Sequence, residues 1–346
     1  MNNVISLKRE TKQPATSIAE SFFRTMLVLC TIAIILFIVS LSVGSSFIHP
    51  IQIIKELIGF KSGEFDYVLH TLRLPRVLLA FLVGGALGVA GLILQAIIRN
   101  PLASPDIIGI TSGASVGAIM FIVYLTGTVS IHFLPVAAII GAATVSFVIY
   151  LLSWKRGVTP FRLVLIGIGV AAAMKAIVML MLVVSETAIA TKSYLWLTGS
   201  LYGANWNDVY AMLPWLLLFI PVALYLSRTV DVMELGDLLA TGLGVHVQRK
   251  RVILLVVSVA LAGSAVAFAG GIEFIGLIAP HIGRKLIGRS FRMLVPISGL
   301  LGGILVVCAD MIARTAFLPL DIPAGVFTAA IGAPFFIYLL YKGRNA

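Results

Sequence analysis

Apolar runs of span length, separated by short basic loops, repeat along this chain from residue 26 to residue 341. That pattern leaves few folds open. A run of about 20 apolar residues is long enough to cross a bilayer. Inside hydrocarbon every backbone N–H and C=O must find its partner within the protein, so such runs become helices. The runs fall at 26–47, 75–98, 110–126, 132–152, 163–184, 209–227, 252–269, 272–287, 293–313 and 323–341. Of the 346 residues only 11% are charged, where a soluble protein carries about a quarter. A chain so poor in charge cannot coat a water-facing surface. The expected fold is all-α, a polytopic membrane protein with about ten transmembrane helices. Residues 26–346 read as a single membrane domain behind a polar tail, residues 1–25. That leader lacks a small-x-small cleavage site and runs into a span-length segment, so it reads as a cytoplasmic tail rather than a cleaved signal.

The loops alternate in charge. One set holds 18 of the 25 lysines and arginines, among them Arg24, Arg99, Lys155, Arg162, Arg228, Arg249, Arg251, Arg284, Arg292 and Lys342. The other set holds 6: Lys55, Lys61, Arg73, Arg76, Lys192 and Arg314. Lys175 falls inside a span and completes the total. Basic loops stay on the cytoplasmic side. The expectation is therefore a multi-pass protein of the cell membrane with both termini inside. The net charge of +11 then needs no nucleic acid partner.

The stretch from Arg73 to Gly117 is the densest in signals. Small residues at Gly84/Gly88 and Gly113/Gly117 have the four-residue spacing that lets helices in lipid approach closely. Between them Arg99-Asn100-Pro101-Leu102 breaks the apolar run and suggests a hairpin turn at a membrane surface. Arg73, Arg76 and Arg314 fall on the outer side, against the usual bias. Arginine's planar fork suits carboxylates, so an acidic external partner or substrate is expected.

The longest internal loop, 227–251, is amphipathic. Met233, Leu235, Leu238, Leu239 and Leu243 recur near helical spacing, with Asp231, Glu234 and Asp237 between them. Gly242 and Gly244 are expected to end a helix and turn the chain. Such a structured loop suggests a surface for a soluble partner, or else a helix resting on lipid headgroups.

Catalytic signals are poor. No G-x-x-x-x-G-K-[ST] phosphate loop occurs, and none of His49, His70, His132, His246 or His281 sits in an H-E-x-x-H frame. Cys30 and Cys308 have no disulfide or metal spacing. Charges inside spans are costly. Asp310 and Arg314 have the i, i+4 spacing of an ion pair. Lys175, Glu273 and Asp310 are the material for an ion-coupled secondary transporter. Glu273 and His281 are the material for an intramembrane acid–base pair.

Five blocks, in order, resemble one family. They are RLPR (Arg73 to Arg76), GxxLxxxGLxLQxxxRNPLAxPxxxGxxxGAxxG (Gly84 to Gly117), GxIxFIGLxxPHIxR (Gly270 to Arg284), ADxxAR (Ala309 to Arg314) and PxGxxTAxIGAPFFIYLL (Pro323 to Leu340). Together they resemble the FecCD-type permeases, the membrane subunits of ATP-binding-cassette importers for iron–siderophore complexes, haem and vitamin B12. The resemblance implies a vitamin B12 importer permease-like fold that pairs with a second permease subunit, a copy or a paralogue. It implies two cytoplasmic ATPase subunits that bind the ATP, with no cofactor and no ATPase site in this chain. It also implies an extracytoplasmic solute-binding protein whose glutamates meet Arg73, Arg76 and Arg314. By the same resemblance Asn100, Pro101 and Leu102 are gate residues at the inner mouth. The segment from about Glu234 to Val247, with Leu238, Ala240, Gly242 at the bend, Leu243 and Gly244, would seat on the ATPase. Met174 and Lys175 would lie near the pathway. The cargo is expected to be an iron(III)–siderophore complex, with haem or cobalamin as the alternative.

Overall fold

The computed structural model describes residues 15–59, 63, 65–106, 108–155, 157–317 and 319–343. Residues 1–14 of the tail, and the loop cations Lys61, Arg156 and Arg344, lie outside the described residues. The chain is helical almost throughout, as the apolar runs require. In order come α1 (Ala15–Ser42), α2 (Pro50–Leu57), α3 (Leu74–Ile98), α4 (Ile110–Tyr124), α5 (Leu134–Ser153), α6 (Pro160–Val184) and α7 (Thr187–Leu197). After them come α8 (Trp206–Tyr225), α9 (Ser227–Glu234), α10 (Asp237–Gly242), α11 (Val247–Ala269), α12 (Ile275–Ile287), α13 (Phe291–Thr315) and α14 (Ala324–Gly343).

Eight of these stretches are long and apolar enough to cross a membrane. The other two expected spans are the short helices α4 and α12, of 15 and 13 residues. Each follows a stretch without helix. Before α12 the break begins at Gly270, whose φ is +68°, and ends at Phe274, a non-glycine at φ +66°. Irregular backbone at membrane depth survives only where protein or water satisfies it. Here the amide of Gly325 donates to Gly199 O at 2.9 Å. A Cβ on Gly199 would lie 2.8 Å from Gly271 C. The turn after α7, the break before α12 and the start of α14 therefore support one another. The aromatic segment around Tyr194 forms the short helix α7, which keeps Tyr194 and Leu195 exposed and meets the α12 break through Gly199.

α1 begins at Ala15, inside the stretch expected to be tail. α3 is the hub. In the most apolar part of Tyr67–Ile98, 83% of the residues are buried, against 22% in that of Pro160–Val184. Most other spans turn a broad apolar face outward, as lipid-facing helices do. Glycine decides how α3 packs. A Cβ on Gly84 would lie 2.2 Å from Gly302 O, and one on Gly88 2.2 Å from Ser298 O. Both contacts are with α13. Gly91 meets α12 in the same way, at Gly276. Gly117 belongs to a different pair, where its Cβ would strike Ala137 O of α5 at 2.2 Å. The Asn-Pro turn thus does not join a packed hairpin. α3 packs chiefly on α13 and α11, and α4 on α5.

The internal loop folds into two short helices rather than one. Gly236, at φ +117°, separates α9 from α10. A side chain at that φ would be strained. Gly242 is the last residue of α10, and the reversal falls at Gly244, with φ +82°.

Candidate functional site

Two polar constellations sit at opposite ends of α3. At one end a π-helical segment, Tyr67–Arg73, runs directly into α3. Pro75 has no N–H to continue the α-ladder, and the Leu74 amide reaches back five residues to Leu69 O. Wide turns of this kind cluster at functional sites.

The three expected arginines converge here. Arg73 donates through Nη1 to Leu41 O at 2.6 Å and Ser42 O at 3.2 Å, and through Nη2 to Ser46 O and Ser46 Oγ. Arg314 donates through Nη1 to Val43 O at 2.7 Å, and through Nη2 to Ser40 O and Ser40 Oγ. A Cβ on Gly44 would lie 2.8 Å from Arg73 Nη2 and 3.3 Å from Arg314 Nη1, so the chain passes close between the two guanidinium groups. Arg76 behaves differently. Its Nε and Nη2 hold Asp310 at 2.8–3.2 Å. Its Nη1 and Nη2 hold Asp321 at 2.6 and 2.9 Å.

The expected Asp310–Arg314 ion pair is present, and Arg76 joins it as the closer partner. Arg314 Nε stands 3.7 Å from Asp310 Oδ2, too long for a hydrogen bond, and Asp310 gives its oxygens to Arg76. Asp310 is 1% exposed, and Arg76 and Arg314 are 14% and 10% exposed.

All three arginines line one cavity of about 280 Å³, with Gly44, Tyr202, Leu320 and Asp321 on its wall. Three guanidinium groups there face two carboxylates. The surplus positive charge falls on Arg73 and Arg314, whose hydrogen-bond partners are carbonyl and hydroxyl oxygens. A guanidinium fork has the geometry to take a carboxylate.

At the other end α3 stops at Arg99, which adopts the left-handed conformation at φ 57°. The Asn100 side chain caps the turn by accepting the Leu102 amide at 2.9 Å. Asn100 and Pro101 are exposed, and Leu102 is half-buried. Arg99 reaches across to the α9–α10 pair. Its Nε donates to Met233 O at 2.9 Å, and its Nη2 bonds Asp237 Oδ1. Asp237 also accepts from Arg251 Nη2 at 2.9 Å on both oxygens. Arg251 is 1% exposed and anchors further to Val158 O. Partial burial alone would raise the Asp237 carboxyl, but Arg251 and Arg99 outweigh it and hold it below the usual carboxylate range. None of this was legible in the sequence, because the partners are far apart along the chain.

The α9–α10 pair presents an apolar face. Leu235, Leu238, Leu239 and Leu243 are 60%, 91%, 62% and 66% exposed, while Ala240 is fully buried beneath them. Glu234, Gly242 and Gly244 lie exposed on the same rim. Met174 is half-buried and Lys175 exposed, both on α6. Glu273 lies in the break before α12, so helical spacing does not set it beside His281. That histidine packs edge-on against Phe335, with ring centroids 5.6 Å apart.

Among the described residues, Glu56, Asp66 and His70 form a group whose ligand atoms lie within 4.8 Å of one another. It sits beside the π-helical segment, where Trp206 Nε1 donates to His70 O at 2.8 Å.

The comparisons agree with this architecture. The FecCD transport family matches residues 32–342. The achromobactin transport system permease protein CbrC of Dickeya dadantii is 50% identical over 308 residues, covering 89% of this chain and 88% of its own. The iron(3+)-hydroxamate import system permease protein FhuG of Bacillus subtilis is 40% identical over 344 residues, covering 98% of this chain and all of its own. Among solved structures, a chain of a metal-chelate type ABC transporter in an inward-facing conformation superposes with a TM-score of 0.82 at 30% identity. That match covers 92% of this chain and 99% of the other. With the fold, the ordered blocks and these matches in agreement, the chain belongs to the FecCD transport family.

Proposed function

We propose that this protein is the membrane-spanning permease subunit of an ATP-binding-cassette importer and that its cargo is an iron(III)–siderophore complex. The observation that carries this reading is the identity, over nearly full length, with permeases named for achromobactin and iron(3+)-hydroxamate transport. Those cargoes favour a siderophore over haem or cobalamin. The chain's own work is to offer a pathway with two states that its partners bias.

The two ends of the bundle suit two different partners. The charge bias of the loops puts both termini and α9–α10 inside, and the arginine cavity outside. A solute-binding protein would present glutamates to the cavity of Arg73, Arg76 and Arg314. Arg76 already serves two carboxylates, so Arg73 and Arg314 carry most of the attraction. Two ATPase subunits, which bind the ATP, would seat on Leu235, Leu238, Leu239 and Leu243. A second permease subunit would complete the pathway, with Asn100, Pro101 and Leu102 at its inner mouth.

Reconstitution of the chain with its partners in lipid vesicles tests this. Radioiron uptake should require ATP inside and the binding protein outside. Uptake that survives ATP removal and collapses with the proton gradient would instead mark an ion-coupled carrier.

Two substitutions examine the ends separately. Leu238→Asp is expected to leave the fold intact, since the side chain is 91% exposed, and to abolish co-purification of the ATPase by placing a charge in an apolar contact. Arg73→Glu is expected to weaken binding-protein affinity at least tenfold, by turning attraction into repulsion. Equal ATPase recovery with the first variant, or unchanged affinity with the second, rejects the corresponding surface.

A further inference from the structure

Lys175 is the sixteenth of the 25 residues of α6, about 22 Å from one helix end and about 14 Å from the other at 1.5 Å per residue. That depth lies within the hydrocarbon thickness of a bilayer. Its side chain is nevertheless exposed on the surface of the protein. Glu273, in the break before α12, is exposed as well. Among the described residues, neither side chain forms an ion pair or a hydrogen bond. Charges left in contact with lipid cost several kcal/mol and are rare; they turn toward water or another protein.

A third titratable group lies with them. The turn after α3 is wedged between α6 and the start of α12. A Cβ on Gly109 would lie 3.6 Å from Ala171 Cβ, one helical turn before Lys175. A Cβ on Gly276 would lie 2.9 Å from Pro105 Cδ. Asp106, the next residue, therefore stands between the two. Phe274 and Thr111 lie beside its carboxyl, close to both Glu273 and Lys175. Two carboxyl groups and one ammonium, from three separate segments, thus share one patch. Lys175 and Glu273 leave their bonding capacity directed away from the chain.

We propose that Asp106, Lys175 and Glu273 form a charged station at membrane depth that contacts the polar periphery of the iron chelate as it crosses. This inference rests on the permease reading above. Lys175 would take an ionised carboxylate or phenolate oxygen of the chelator. Glu273 would accept a hydroxyl or amide N–H, and Asp106, on the turn that carries Asn100 and Leu102, would add a third polar group. A hydrophilic chelate with a mixed, ionised rim fits such a set. Contacts on one side only, open to water, are weak enough to release the cargo.

Single cysteines test the placement without reference to transport. In a chain carrying Cys30→Ser and Cys308→Ser, the assembled complex in lipid vesicles receives Lys175→Cys or Glu273→Cys. Both sites should react with membrane-impermeant charged methanethiosulfonates. Adding Lys175→Met to the Glu273→Cys chain should lower the anionic-to-cationic rate ratio at least tenfold. No labelling at either site would show that they face lipid or a permanent contact, and an unchanged ratio would show no charge recognition; either result overturns the proposal. Radioiron uptake is then measured with citrate, hydroxamate and catecholate chelates. For the best-imported chelate, Lys175→Met should reduce uptake at least tenfold and Lys175→Arg should restore most of it. A loss below twofold overturns the contact with cargo. Failure of the unsubstituted complex to import any of the three, with labelling intact, rejects the siderophore reading and the cargo contact together while leaving the charged, water-facing patch established.

Discussion

Arg76→Met is expected to destabilise this protein by about 3–5 kcal/mol, the usual cost of stranding one partner of a buried ion pair. Asp310 is 1% exposed, and both of its oxygens hydrogen-bond to Arg76. Without that guanidinium its nearest cation is Arg314, whose Nε at 3.7 Å makes no hydrogen bond. A carboxylate left so deep with no hydrogen bond cannot regain water at low cost. Arg73→Met should cost less, about 1–3 kcal/mol, because its partners are uncharged oxygens at the end of α1. Reversible unfolding in detergent micelles or lipid bicelles, read by two independent probes, measures both. The double variant Arg76→Met/Asp310→Leu isolates the cause. If the loss comes from a stranded charge, removing that charge recovers most of it, since well-packed apolar replacements of buried pairs are often neutral. An Arg76→Met protein as stable as the parent, or a double variant no better than the single one, would mean that the network is not what joins α3 to α13 here.

That pair also marks the limit of what the sequence revealed. Hydrophobic run length located the spans because lipid leaves the backbone no alternative to helix. The runs 110–126 and 272–287 were already the two shortest, and they became α4 and α12; run length did not locate the break at Gly270–Phe274, since an apolar run looks the same whether it is helical or extended. The four-residue glycine spacing announced close helix contacts, and Gly84 and Gly88 do admit backbone contact. Spacing says nothing about the partner, and α3 meets α13 and α12 rather than its neighbour α4. The i, i+4 rule paired Asp310 with Arg314 because it sees only one helix. The stronger partner, Arg76, lies 234 residues away. The arginine-lined end was anticipated because RLPR and ADxxAR are local motifs. The opposite end was anticipated only as an amphipathic loop. Its working joint, Arg99 to Asp237 to Arg251, carries no local signature.

At that joint, Arg99→Ala is expected to separate ATP hydrolysis from uptake. Arg99 closes α3, precedes Asn100-Pro101-Leu102 and holds both Met233 O and Asp237. Among the described residues it is the side chain whose hydrogen bonds tie the turn proposed for the inner mouth to the helices proposed to seat on the ATPase. A displacement of α9–α10 reaches the turn through it. The bond is 30% exposed on the arginine side and 38% on the aspartate side, so its direct stability contribution is small, about 1 kcal/mol or less. Fold and assembly should survive, because Asp237 keeps Arg251 and the leucine face is untouched. In the reconstituted complex, hydrolysis should persist within about twofold while iron uptake falls at least tenfold, about 1.4 kcal/mol of lost coupling. Asp237→Asn should act in the same direction. The carboxyl of Asp237 is held low, so the tie is present above the ordinary carboxylate pKa, near 3.9, and is lost only as pH falls through the depressed folded value. Mild acidification to about pH 5.5 should accordingly leave coupling intact in the parent. Uptake and hydrolysis that fall together in Arg99→Ala would reduce the residue to a structural prop; uptake that does not fall at all would sever the route from α10 to the gate.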